Sequence, residues 1–245
     1  WLLFRFVGKI GDSITIASDL VEVQNVVDTV FGDMSSKVEE YAQNSIKQLG
    51  MSELSFKQYA SRFQAMGSAM GIDTSSIENA NSFLNKATNG YVGLSNSMAD
   101  VSLTLTQLTA DMASFYNVSQ KDVAEDLSAI FTGETRPLRT YGLDLTQATL
   151  AEWAMKNGLD ANVKSMSQAE KTMLRYQYVL ANTSAAQGDF ARTSNTWANQ
   201  IRILQEQIKK FASVIGTGFI AAFKPFVQTL NKVMAKVIDL DRKSV

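Results

Sequence analysis

Six apolar residues recur along the C-terminal part of the chain at steps of four, three, four, three and four: Trp197, Ile201, Leu204, Ile208, Phe211 and Ile215. Alternating steps of four and three are those of a helix seam built to bury itself against another helix. A strand cannot use them, because strand side chains alternate faces with period two. The turn Gly188-Asp189-Phe190 reads as the launch of this long helix. Asp189, Thr193 or Ser194 could each cap it, offering an oxygen to the unpaired N–H groups of the first turn. In an isolated domain the stripe would be core, and changing it would unfold the chain. Whatever part of it stays exposed is the candidate surface for association.

The same period runs through the rest of the chain. Ile16, Leu20, Val23, Val27 and Val30 line up along residues 13–31, and Val38, Tyr41, Ser45 and Leu49 along 35–49, after a break at Gly32-Asp33. Ser52 should cap a helix carrying Phe56, Tyr59, Phe63, Met66 and Met70, with Gly71 ending it. Ser75 with Glu78 reads as a capping box. Beyond Gly90 and Gly93 come Met98, Val101, Leu105, Leu108, Met112 and Phe115 on one stripe. Ser119 and Asp122 open a short helix bearing Val123, Leu127 and Ile130.

Residues 133–146, GETRPLRTYGLDLT, are the longest irregular stretch of the middle. Asp144 or Thr146 then starts a helix to Lys156, ended by Asn157-Gly158. A second capping box, Ser167 with Glu170, opens a helix to about Ala186. The seam helix covers 190–215 and breaks at Gly216 and Gly218. A last amphipathic helix carries Phe219, Ala222, Phe226, Val233 and Val237.

The fold class is therefore all-α: a multi-helix bundle with long amphipathic, coiled-coil-like helices and no sheet. Three segments suggest themselves: an N-terminal one (1–118), a central one with the RPLRTYGLDLT loop (119–187), and a long C-terminal hairpin or coiled-coil segment (188–245). All three could form one domain. A length of 245 residues with 45% hydrophobic content supports a packed core. The start WLLFRFVGKI is too short to span a bilayer, which takes about 20 apolar residues. Opening on Trp1, the chain reads as a fragment or processed product whose first helix begins upstream.

Composition narrows the chemistry. With no Cys there are no disulfides or thiolate metal sites, and with no His the commonest general base and zinc ligand are missing. The reading is not an enzyme, with no catalytic residues, no metal and no cofactor. One carboxylate route stays open: Glu134 as the general acid of a peptidoglycan hydrolase, with Asp144 as its nearest partner. Set against it, Glu134 would simply pair with Arg136 and Arg139, which would lower its pKa. The Met residues at 66, 70, 98 and 112 read as core rather than as a groove.

Net charge is −1, so no overall field favours stable nucleic-acid binding. From Arg202 onward the chain carries eight basic and three acidic residues, a solvated face on the plain reading. Residues 211–223, FASVIGTGFIAAF, are too short to cross a membrane. A membrane-penetrating role for residues 1–10 and 211–240 is the second alternative, as a transient contact.

Four segments carry a family resemblance: DLVEVQNVVDTVFGDMS (19–35), RPLRTYGLDLTQATLAEWA (136–154), MSQAEKTMLRYQYVLANTSAAQGDFART (166–193) and NQIRILQEQIKKFASVIG (199–216). In this order the chain resembles the phage tail tape measure family, the core region of the phage minor tail protein type. The resemblance implies a structural virion protein of a long-tailed phage or prophage, made in the host cytoplasm. It would serve tail tube assembly, length determination and genome ejection. The implied partners are further copies of itself, tail-tube and tail-tip proteins, and assembly chaperones. A ruler wants uninterrupted helix at about 1.5 Å per residue. Glycines at 50, 71, 90, 93, 133, 142, 158 and 188 favour a compact module instead, with the length-setting coil elsewhere.

Overall fold

The computed structural model describes residues 2–73, 75, 77, 78, 97–158 and 163–243. Its helices in chain order are α1 (Leu2–Phe31), α2 (Ser35–Leu49), α3 (Glu53–Ala69), α4 (Met98–Phe115), α5 (Gln120–Leu127), α6 (Ala129–Thr132), α7 (Gln147–Lys156), α8 (Gln168–Asn182), α9 (Asp189–Thr193) and α10 (Trp197–Lys243). Short 3-10 helices cover Gly32–Met34 and Pro137–Tyr141, and the described residues contain no strand. The fold is all-α.

Local capping chemistry sets most of the starts. Ser52, Ser97, Ser119, Thr146 and Ser167 sit in extended backbone, and each accepts the N–H of the residue three further on. At Ser167 the box is complete: Glu170 N–H donates to Ser167 Oγ (3.2 Å), and Ser167 N–H donates to Glu170 Oε2 (2.7 Å). The expected box at Ser75 is not formed that way. Ser75 is already helical, with Ile77 N–H donating to Asp73 O (3.2 Å), so the helix starts before it; its hydroxyl donates to Asp73 Oδ1 (2.8 Å). Gly90 and Gly93 lie outside the described residues.

The core is organised around α4. Val101, Leu105, Leu108 and Met112 face a cluster built with Phe63, Leu127, Ile130, Phe131, Leu150 and residues of α8. Ala99, Leu103 and Ala110 face a second cluster with Val27, Phe31, Val38, Ala42, Phe56 and Ala60. Between these faces Ser102, Thr106 and Thr109 are fully buried, and their hydroxyls donate to the carbonyls of Met98, Ser102 and Leu105 (2.8 Å each). Bonding back one turn lets a helix be buried all round without orphaned hydroxyls. Phe115, at the end of the expected stripe, is exposed. Met98 and Met112 are buried, and Met66 and Met70 pack against the first cluster.

Three boundaries, and the burial of one irregular stretch, differ from the sequence expectation. The first helix is one element from Leu2, and 13–31 is only its second part. Residues 133–146 are irregular apart from the 3-10 helix that Pro137 opens, but they are packed: Leu138, Leu143 and Leu145 are buried in the first cluster. Helix α8 ends at Asn182, because Thr183–Gly188 coil into turns closed by Gln187 Nε2 donating to Leu180 O (2.7 Å). Gly216 and Gly218, expected to break the last helix, lie inside α10, which runs unbroken for 47 residues and even through Pro225. A glycine costs a helix only about 1 kcal/mol, which the long apolar-rich flanks absorb. No hairpin turn interrupts 197–243.

Tyr141 shows how the central stretch is fastened. Its hydroxyl donates to Asp126 Oδ2 (2.8 Å), and burial together with that carboxylate pushes the phenol pKa well above the tyrosine range. The raised value means that this contribution is whole below about pH 10 and is lost as pH rises toward the folded pKa. Tyr141→Phe should cost about 1–2 kcal/mol at neutral pH, and the gap to the parent protein should narrow by pH 11. Urea unfolding at the two pH values checks it; a gap that widens is the wrong sign.

Candidate functional site

The placement of α10 begins with the QGDFART segment. Gly188 takes a left-handed conformation (φ +72°), open to glycine without strain. Its N–H and that of Phe190 donate to the two carboxylate oxygens of Asp111 on α4 (2.8 and 3.1 Å). Burial raises the Asp111 pKa against those two hydrogen bonds. Phe190 is fully buried, and Arg192 folds back to donate to Gln187 O (2.6 Å) and Ala185 O (3.0 Å). The result is the five-residue helix α9, followed by a turn at 194–196, so the long helix starts at Trp197 and not at the glycine turn.

Neither Thr193 nor Ser194 caps α10 with its hydroxyl. Ser194 Oγ donates to Ala191 O (3.1 Å), and Thr193 Oγ1 donates to Asp189 O (2.7 Å). Thr193 instead serves Asn199, whose amide donates to Thr193 Oγ1 (2.9 Å), Thr193 O (3.2 Å) and Ser114 Oγ (3.1 Å). This buried node fixes the rotation of α10 about its axis. Below it, the half-buried Arg202, Glu206 and the buried Ser213 turn toward the protein body. Lys210 Nζ lies 3.9 Å from Glu53 Oε2 on α3.

Residues 197–213 of α10 thus dock by a polar face. Arg202 Nη1 and Glu206 Oε2 are buried there without a hydrogen-bond partner among the described residues. Burial pulls the Arg202 guanidinium below its ordinary pKa, while Glu206 acts in the opposite direction.

At 100° per residue, the seam lies about 160° around the helix from this inward face. The consequence is plain in the exposures: Trp197 82%, Leu204 50%, Ile208 60%, Phe211 68% and Ile215 43%, with Ile201 intermediate and the adjoining Val214 at 64%. The expectation that this stripe is core is overturned. Asn199 and its neighbours win the inward position because Ser114 and Thr193 satisfy the amide there, and an apolar residue could not do so. The sequence located the stripe but missed the node that turns it outward. Ser114 lies 85 residues from Asn199 in the chain, and nothing local announces the pairing.

The carboxylates singled out for chemistry stand elsewhere. Glu134 is exposed, and Arg139 pairs with Asp144 (3.5 Å) rather than with it. Asp144 accepts from Thr146 N–H (3.2 Å), Thr146 Oγ1 (3.1 Å) and Thr149 Oγ1 (3.0 Å). Desolvation acts to raise its pKa, but those bonds and Arg139 together outweigh it and hold the carboxyl below the usual range. A general acid needs the reverse shift. The small cavity beside this segment, about 190 Å³, is lined by Gly133, Thr135, Leu145, Gln147, Leu150, Val163, Lys171 and Arg175 and by neither carboxylate.

Among the described residues no helix is long and apolar enough to cross a membrane, and no group of three acidic side chains is arranged to hold a metal ion. The side chains of Phe219, Ala222, Phe226, Val233 and Val237 lie outside the described set. What the α10 surface offers chemically is an apolar band along residues 197–215 of a long helix, fit to meet another helix. No protein-family model, curated protein or solved structure matches the chain.

Proposed function

We propose that this chain is a structural protein that works by helix–helix assembly, as a segment of a phage or prophage tail tape measure protein. One observation carries the assembly reading: between Trp197 and Ile215 a long helix keeps its apolar stripe largely in solvent while Asn199, Arg202, Glu206 and Ser213 face the protein body. Soluble monomers seldom expose contiguous apolar patches beyond a few hundred Å², and larger ones mark interaction sites. The phage setting rests on the residue-level resemblance, QGDFART and LRTYGLDLTQATL above all.

In that setting the exposed band meets other copies of the chain, tail-tube subunits or tail-tip proteins, with chaperones covering it before assembly. The compact α1–α9 body fits a module that sits beside the length-setting coil. At about 1.5 Å per residue α10 spans only about 70 Å.

Leu204→Asp combined with Ile208→Asp tests it in the natural gene. Both side chains are at least half exposed, so the helical signal and thermal midpoint of the purified chain should hold within about 2 °C. Tails seen by negative-stain microscopy should be missing or irregular in length. Normal tails at normal particle yield would sink the reading.

A further inference from the structure

We infer that the cavity of about 190 Å³ between the 133–146 segment, α7 and α8 is a binding site for a small carboxylate with a short apolar body. None of its lining residues belongs to α10, so the site stands or falls apart from the assembly reading.

Its charge is one-sided. Lys171 and Arg175 line it from α8, one turn apart and therefore on one face. Like charges at that spacing repel, and no carboxylate lines the cavity to offset them. Neither residue joins any ion pair among the described residues. The carboxylates nearest in sequence are engaged elsewhere or stand in solvent. Asp144 accepts from Thr146 and Thr149 and pairs with Arg139, Glu170 accepts the Ser167 N–H, and Glu134 is exposed. Burial pulls the Arg175 guanidinium below its ordinary pKa. A cation in that position has given up water without gaining an anion.

Arg175 is also held in place. Its Nη1 donates to Ile130 O (3.1 Å), and its Nη2 lies 2.8 Å from where a Cβ on Gly133 would stand. Gly133, at φ +77°, both makes the turn and leaves room for the guanidinium to pass. The rest of the planar fork is free to meet a two-oxygen acceptor, the geometry that arginine serves best. Thr135 and Gln147 add neutral polar groups. Gln147 is the first residue of α7, and the start of a helix favours negative charge.

The opposite wall selects among anions. Leu145, Leu150 and Val163, each at most 5% exposed, close that side. Phosphate or sulfate carries oxygen in every direction, and some of it would lose water against these side chains without a hydrogen bond in return. A carboxylate keeps both oxygens at one end and offers carbon at the other. The volume is below the roughly 300–1,000 Å³ of sites for drug-sized ligands, so the carbon part is short.

Isobutyrate is the probe, with isobutyramide as its uncharged isostere and inorganic phosphate as the rival anion. In calorimetric titration of the full chain, isobutyrate should bind at one site with a Kd below about 1 mM. The amide and phosphate should each bind at least about 10-fold more weakly. Lys171→Met should weaken isobutyrate by at least about 10-fold and leave the helical signal unchanged, because the side chain is only partly buried and gives up no ion pair. Arg175→Lys keeps the charge, loses the fork, and should weaken binding by a similar factor.

Four results would overturn the site. Absence of binding up to about 20 mM isobutyrate is the first. Equal binding of the amide would reduce the cavity to an apolar hole. Phosphate binding as tightly as isobutyrate would remove the carboxylate assignment. A folded Lys171→Met chain that binds isobutyrate like the parent would put the anion elsewhere.

Discussion

Phe190→Ala is expected to destabilise the protein by about 3–5 kcal/mol and to lower its thermal midpoint by roughly 10 °C. The residue belongs to a helix of only five residues, far too short to hold itself together. Its ring is wholly buried against the end of α2, where Gly50 terminates the helix at φ +55°. A Cβ built on Gly50 would lie 2.6 Å from that ring, so the two were fitted to each other as a pair.

Truncation to alanine leaves a void where α2, α4 and α9 meet. The void lies next to the carboxylate of Asp111 and one short turn from the Asn199 node that orients α10. Loss at this point should therefore loosen the start of the long helix as well. Trp197→Ala, only seven residues on, removes a larger side chain that is mostly in solvent. In the monomer at low concentration it should change stability by less than about 0.5 kcal/mol. Urea unfolding of the two variants side by side decides the matter; equal costs would mean that α10 is not oriented as described.

That contrast shows what a sequence can and cannot announce. Ser52, Thr146 and the Ser167–Glu170 pair were readable because a cap is settled within four residues, by one side chain and one N–H. The stripe from Trp197 to Ile215 was readable too, since its period is a property of the local helix. Its direction was not. That depends on Asn199 finding Ser114 on α4, and on Asp111 capturing the Gly188 and Phe190 N–H groups from 77 and 79 residues away.

That the irregular stretch 133–146 is packed was not legible for a related reason. Leu138, Leu143 and Leu145 follow no helical or strand period, so only the surrounding cluster reveals them as core. Gly216 and Gly218 misled because their cost is real but small beside the cooperativity of a long helix. At the candidate site, then, the residues were visible and the exposure that gives them meaning was tertiary.

Lys57→Met is the second large effect, and its pH dependence makes it diagnostic. The Lys57 side chain is 3% exposed, yet its ammonium sits 2.6 Å from Glu39 Oε2 on α2 and 2.8 Å from Glu53 Oε1 one turn back on α3. Methionine keeps most of the volume and the apolar stem, so little cavity arises. What disappears is the cation between two partly buried carboxylates. Breaking a buried pair from one side costs about 3–5 kcal/mol in full burial. Here Glu39 is 33% and Glu53 17% exposed, and solvent screening brings the expectation to about 2–3 kcal/mol at neutral pH.

The sign with pH follows from Glu39. Burial alone would raise its pKa, but Lys57 and Gln43 outweigh that and hold it below the ordinary value. In the parent protein its contribution is present above the unfolded pKa and lost as pH falls through the folded one. Without Lys57, burial dominates, the folded pKa of Glu39 moves above the unfolded one, and acid relieves the variant while it weakens the parent. The gap between the two should therefore shrink from pH 7 to about pH 4. Denaturant midpoints at those two values measure it. A gap that stays constant would mean that the ammonium contributes only packing, and that the polar junction beneath α10 is not held by charge.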